Sequence, residues 1–281
     1  MLAPTWTQPK IGPLLRGETD PRYYTGLFDN SGYVRGISKY WLLLRAQRVA
    51  EPEAEAVLAA SRPSRPTLLV FSGLEGNFSP LVGHRDLLRA RLHAILARPT
   101  RARLRSSETD FFVGVHFRRG DKPTLRFGQY YPRMPSGGIE MNAACPTEWF
   151  VRCIQGIRKA IGRCVSVRIF SDAHEEELKP LLRLPNVHCP RQQSSIVDML
   201  LLARSRVLIG TGGSSFSMWP TFLGSMPTIW YPETRSFYTG WQPSSDFEAG
   251  VDGSLPAELV CRLRQMHDCA ARVTTKPGPA Q

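Results

Sequence analysis

From Phe111 to Tyr231, short β-branched apolar runs alternate with stretches of helical period. That alternation restricts the chain to parallel strands joined by helical crossovers. Residues 111–116, 165–170, 186–189, 206–210 and 228–231 read as strands. Between them, Cys145-Pro-Thr-Glu-Trp149 opens a helix. Thr147 is its expected cap, and Phe150, Cys153, Ile154, Ile157 and Ile161 share one face. Residues 194–203, the stretch from Met218 onward and 256–271 read as further helices. Asp172 followed by Glu175 reads as a capping box before another. The expected fold class is α/β, with a doubly wound parallel sheet in the carboxy-terminal half.

Upstream the pattern is looser. Residues 37–45 have helical character, 50–60 form an exposed helical segment or linker, and 67–71 read as a short buried strand. The loop Ser72-Gly-Leu-Glu-Gly-Asn-Phe-Ser79 follows, with Glu75 and Asn77 as its reactive members. Residues 84–96 carry Leu87, Leu88, Leu92, Ile95 and Leu96 at helical spacing, whereas 98–107 read as a solvated hinge. The boundary falls there, giving domains of residues 1–105 and 106–281.

Thirty of the 36 basic residues are arginine, and against 24 acidic residues the net charge is +12. Arginine's forked, permanently charged donors favour phosphate-bearing ligands and contact with anionic membrane surfaces. The basic residues are scattered apart from a concentration at 85–105, and no basic stripe is interleaved with aromatics, so nucleic acid is not the expected partner. No apolar run approaches the length of a membrane span. The start, Met1-Leu-Ala-Pro-Thr-Trp6, has no basic head before an apolar core, the basis for expecting a cytoplasmic protein near the inner membrane face; an upstream anchor would place it in the Golgi lumen instead. Six cysteines show no C-x-x-C pair and no zinc spacing, which favours reduced thiols.

The chemistry concentrates at two strand ends. Phe111-Phe-Val-Gly-Val-His-Phe-Arg-Arg-Gly-Asp-Lys122 runs from a buried strand straight into charge. His116, Arg118, Arg119, Asp121 and Lys122 therefore stand where ligands of open α/β sheets bind, beyond the carboxyl ends of the strands. Gly210-Thr-Gly-Gly-Ser-Ser-Phe-Ser217 lies between a strand and a helix, where backbone amides, the helix amino end and the Ser214 and Ser215 hydroxyls make an anion cradle. It lacks the Lys-Ser/Thr of a P-loop and the glycine spacing of a dinucleotide fingerprint. Asp198 interrupts the apolar run Ile196-Val-Asp-Met-Leu-Leu-Leu202, either facing solvent or reading an N–H in the cleft.

Taken in order, His116-Phe-Arg-Arg-Gly-Asp-Lys122, Ile169-Phe-Ser-Asp172, Ile196-Val-Asp198 and Val207-Leu-Ile-Gly-Thr-Gly-Gly-Ser-Ser-Phe-Ser217 resemble the motifs of the fucosyltransferase superfamily, which joins α-1,2, α-1,6 and protein O-fucosyltransferases. The resemblance spans residues 106–232. It implies a GT-B-like fold of two Rossmann-like domains, an acceptor side at 1–105 and a nucleotide-sugar-binding side at 106–281. It further implies GDP-fucose as donor, a glycan or glycolipid acceptor, inversion at the anomeric carbon, and no metal or other cofactor. By the resemblance, Arg118 neutralises the departing β-phosphate with Arg119 as support, and His116 and Asp198 hold the guanine. Gly213, Ser214, Ser215 and Phe216 bind the pyrophosphate and pack by the sugar, while Asp121 and Lys122 match charged positions of the motif. The family's amino-terminal Gly-Asn-Gln is missing; Gly73-Leu-Glu-Gly-Asn77 and Gly26-Leu-Phe-Asp-Asn30 stand nearest to it. Asp121 and Glu75 are the candidates for the base that inverting transfer requires. A silent relative that binds nucleotide or glycan, and a transferase using another nucleotide sugar, are the alternatives.

Overall fold

The computed structural model describes residues 26–29, 31–59, 65–70, 79–107, 111–120, 122–190, 194–235 and 245–274. Its centre is a six-stranded, all-parallel sheet: β3 (Val113–Phe117), β4 (Val167–Ser171), β5 (Val187–His188), β6 (Val207–Ile209), β7 (Thr228–Trp230) and β8 (Asp246–Glu248), in the order β5-β4-β3-β6-β7-β8. Strand β3 pairs with β4 from Val113↔Val167 to Phe117↔Ser171, and with β6 from Val113↔Val207 to Val115↔Ile209. The chain winds outward from β3 to β5, returns, and winds the other way from β6 to β8. The strand order thus reverses between β3 and β6, which makes that boundary the topological switch point.

The alternation of side chains along each strand builds two cores. Val113, Val115 and Phe117 face one layer, formed by α5 (Thr147–Ile161), α6 (Glu175–Leu182) and α9 (Ala257–Thr274). Helix α5 puts Trp149, Phe150, Ile154 and Ile157 fully into it, each worth about 1.5–3 kcal/mol of burial. Its cap is Pro146, not Thr147, so the helix begins one residue earlier than the sequence reading had it. The opposite layer packs α7 (Ser195–Leu202) and α8 (Ser215–Gly224) over Leu208, Phe170 and Trp230.

Two further helices join that second layer. Helix α3 (Arg85–Ala94) packs on α8, and α4 (Arg98–Ser106) packs on α7 through the buried Thr100 and Leu104. The expected hinge at 98–107 is therefore a helix. Its polar composition hid the one leucine that the core covers, and only the burial of Leu104, with Thr100 one turn before it, gives the helix away.

Farther upstream, α1 (Gly36–Arg45) precedes a two-stranded parallel sheet of β1 (Gln47–Ala50) and β2 (Thr67–Val70), with the short helix α2 (Ala54–Ala59) between them. Strands β1 and β8 were not legible as strands: Gln47-Arg-Val-Ala50 and Asp246-Phe-Glu248 are too short and too polar to show a period. Cys145, Cys153, Cys164, Cys189 and Cys261 are free thiols. No helix among the described residues is long and apolar enough to cross a membrane.

Candidate functional site

The crevice at the switch point is assembled from the carboxyl ends of β3 and β6 and the amino end of α8. One continuous hydrogen-bond network welds the three. The Arg118 amide donates to Thr211 Oγ1 (3.2 Å), whose hydroxyl donates to the His116 carbonyl (2.6 Å). The Thr211 amide donates to Ser217 Oγ (3.0 Å), and Ser217 Oγ lies 2.6 Å from His116 Nδ1. A hydroxyl has two acceptor lone pairs, so Ser217 Oγ takes the Thr211 amide and bonds Nδ1 with either ring tautomer, tying the ring to the helix. Burial is the chief cause that pushes the imidazole down to about 3, with Arg118 adding to it and Asp172 opposing, so the ring is neutral. The ring lies against Phe216, with centroids 4.8 Å apart. Its Nε2 has no hydrogen-bond partner among the described residues.

Helix α8 begins at Ser215, not at Met218, so Ser215, Phe216 and Ser217 form its first turn. The turn before it needs Gly213, whose φ is +70° and which passes so close to Met141 that a Cβ there would stand 2.9 Å from Sδ. Ser214 is the cap, but its hydroxyl makes no capping bond. The amides of Ser215 and Phe216 have no acceptor among the described residues. The result is a set of donors at the positive end of a helix dipole, all pointing out of the sheet.

Arg118 adds a full positive charge. It is exposed, and its guanidinium makes no hydrogen bond or ion pair among the described residues. Arg119 differs in every respect. Its Nε donates to Glu177 Oε1 at 2.5 Å, Nη1 donates to the Lys122 carbonyl, and its amide donates to Asp172 Oδ1 at 2.8 Å. The Gly120 amide shares that oxygen at 3.3 Å, made possible by the left-handed φ of +56° at Gly120. Lys122 reaches across to the Met141 carbonyl at 2.8 Å. Arg119 and Lys122 therefore shape the connection that follows β3, and Arg118 is left exposed at the strand end.

Asp172 was read as a helix cap. The cap of α6 is instead His174, whose amide donates to Glu177 Oε2 at 3.0 Å, because Asp172 is claimed by the two amides after β3. Asp198 is buried rather than solvent-facing. It lies in the first turn of α7, where its charge opposes the fall in the Arg168 pKa that burial causes. Asp121, Glu75 and Asn77 fall outside the described residues. Among the described residues no group of three or more His, Cys, Asp or Glu side chains comes together as a metal site.

The structure thus brings together His116, Arg118, Gly213, Ser214, Ser215 and Phe216 at one crevice. Sequence reasoning passed over Thr211 and gave Ser217 no role of its own. The signal for Ser217 was its place three residues past the Ser214 cap, which turns it back toward the strand ends.

These features define the class: a doubly wound parallel α/β protein with open hydrogen-bond donors at its switch point. No family model matches the chain, and no curated protein does. Among solved structures, the chain matches NodZ α-1,6-fucosyltransferase soaked with GDP-fucose at 20% identity and a TM-score of 0.40, over 71% of this chain and 63% of that one. It matches the NodZ fucosyltransferase from Bradyrhizobium at 16% identity and 0.41, over 75% and 78%. It matches POFUT1 in complex with GDP at 16% and 0.37, over 70% and 62%. The chain spans under two thirds of the first and third of these.

Proposed function

We propose that the chain is a glycosyltransferase that takes a GDP-linked sugar, fucose by the motif resemblance, and seats its pyrophosphate in the crevice between β3 and β6. The observation that carries this reading is the combination of an exposed Arg118, unpaired among the described residues, with the open amides of Ser215 and Phe216 in the loop that Arg118 joins through Thr211, at the switch point of a parallel sheet. Cleavage of a glycosyl-phosphate bond puts negative charge on the leaving nucleotide. Donors fixed in advance stabilise that charge without reorganising. Thr211 and Ser217 fix them here, because they tie the strand ends to the helix through buried bonds. The neutral His116 ring offers the nucleotide one more hydrogen-bonding group through Nε2. The transfer inverts, the acceptor is a hydroxyl of a glycan or glycolipid, and Asp121 or Glu75 takes its proton.

Thermal unfolding in the presence of GDP, UDP and ADP tests the donor site. At about 100 times its dissociation constant, a ligand adds roughly 2.7 kcal/mol to stability. GDP alone is expected to raise the melting temperature of the wild type by roughly 5–11 °C, using about 2–4 °C per kcal/mol. Arg118→Ala is expected to lose that rise while keeping its unliganded melting temperature. A folded wild type that responds to no nucleotide sinks the donor site. Release of GDP from GDP-fucose separates a working transferase from a silent relative.

A further inference from the structure

The other end of the sheet carries a second concave basic surface. A groove of about 390 Å³ lies between α3 and α4 and is closed by the turn after α7, with His93, Arg101, Arg105 and Arg204 on its walls and Leu104 in its lining. A second recess of about 220 Å³ continues it past His93 and Arg204 to Arg89. Among the described residues no carboxylate lines either; Asp86 pairs with Arg89 at 3.3 Å on the exposed side of α3. Asp29, held below its usual pKa chiefly by its hydrogen bonds with Ser31, lies near enough to Arg101 for that charge to add to the lowering.

Two details separate this from a solvated helix face. Arg101 is fixed in place: its Nη2 donates to the Ala94 and Leu96 carbonyls at 3.3 and 3.1 Å, and its Nε is buried with no hydrogen-bond partner. Arg105 follows one helical turn later, on the same side of α4, and makes no hydrogen bond or ion pair among the described residues. Like charges so placed repel unless an anion sits between them. The groove is also remote from the crevice. Arg204 follows the carboxyl end of α7 and precedes β6, and α4 leads into β3, so the groove opens at the amino ends of the strands and the crevice at their carboxyl ends.

We propose that this groove binds a phosphate-bearing anion, separately from the nucleotide crevice. Its volume suits one headgroup or one small polyphosphate, and its concave shape does not admit a nucleic-acid duplex. Guanidinium forks held at fixed spacing are the donors that phosphate oxygens take. The proposal is independent of the donor reading, since no residue is shared between the two sites.

The test uses the full chain with two probes. Calorimetry with inorganic pyrophosphate reports soluble phosphate, and cosedimentation reports lipid, using vesicles of phosphatidylcholine alone, with phosphatidylserine, or with a phosphoinositide. The double variant Arg89→Gln, Arg105→Gln is expected to lose about tenfold or more in affinity for whichever probe binds, while Arg118→Ala keeps it. Binding to pyrophosphate alone names a soluble ligand; binding to phosphoinositide vesicles names a headgroup. The proposal is overturned if neither probe binds, if the double variant binds as the wild type does, or if Arg118→Ala abolishes binding and so assigns it to the crevice. Duplex DNA competing on equal terms with pyrophosphate would overturn it as well.

Discussion

Two turns at the carboxyl edge of the sheet, one after β3 and one after β6, handle charge in opposite ways. After β3, Arg119 and Gly120 are satisfied completely by Asp172 and Glu177 from the neighbouring β4–α6 connection. After β6, the amides of Ser215 and Phe216 and the Ser214 hydroxyl have no acceptor among the described residues, and Arg118, whose amide bonds Thr211 in the same turn, has an unpaired guanidinium among them. Compensated charge builds scaffold, and uncompensated charge makes a ligand site. Substitutions in the first turn should therefore cost stability, and loss of the open donors should cost ligand.

The largest expected effect is that of pH on His116, beneath the open turn. Its folded-state pKa of about 3 lies below the ordinary 6.5 of histidine, so the unfolded chain takes up the proton first. The stability it contributes is complete above pH 6.5 and is lost as pH falls toward 3, by roughly 1.4 kcal/mol per unit. Asp246 opposes this at the far edge of the sheet. Burial lifts its carboxyl to about 6 from 3.8, so its contribution is complete below 3.8 and is lost as pH rises through 6. Urea unfolding between pH 4 and 6 should show stability climbing with pH in Asp246→Asn and falling with pH in His116→Gln. Identical slopes in the two variants would show that neither group titrates as its burial implies.

Next in size is Asp172→Ala, which strips the amides of Arg119 and Gly120 of their charged acceptor. A loss of about 2–3 kcal/mol is expected in denaturant titration, with the GDP response of the folded fraction weakened only through misplacement of Arg118. If stability is unchanged and nucleotide binding disappears, the two turns do not differ as described. Ser217→Ala should act more mildly, by about 1–2 kcal/mol, because it leaves the buried Thr211 amide and His116 Nδ1 unpaired. Ser217→Thr keeps the hydroxyl, so recovery of GDP binding in that variant would assign Ser217 a positioning role.

Much of this was legible. The strand and helix alternation placed β3, β4, β6 and β7 with their intervening helices, because period and β-branching are local properties that tertiary packing did not override. The Gly/Ser turn was recognisable for the same reason, since only glycine tolerates the φ of +70° at Gly213. The helix at Arg98–Ser106 was not, because Arg-rich surface residues outnumber the one leucine that the core covers. Strand β8 escaped as well, since three residues with a buried aspartate carry no period, and the Trp230 indole that satisfies Asp246 at 2.9 Å is sixteen residues away.

The sequence by itself determined that the sheet is parallel and that charge collects where β3 ends. Only the tertiary structure decided which of two adjacent arginines is available. Arg118 and Arg119 are chemically equivalent in the sequence, and what divides them are carboxylates 53 and 58 residues downstream, brought up by the β3–β4 pairing. Local chemistry fixes the donors a segment offers. Which of them are already satisfied depends on contacts between residues far apart in the chain, and those exist only once the strands have paired.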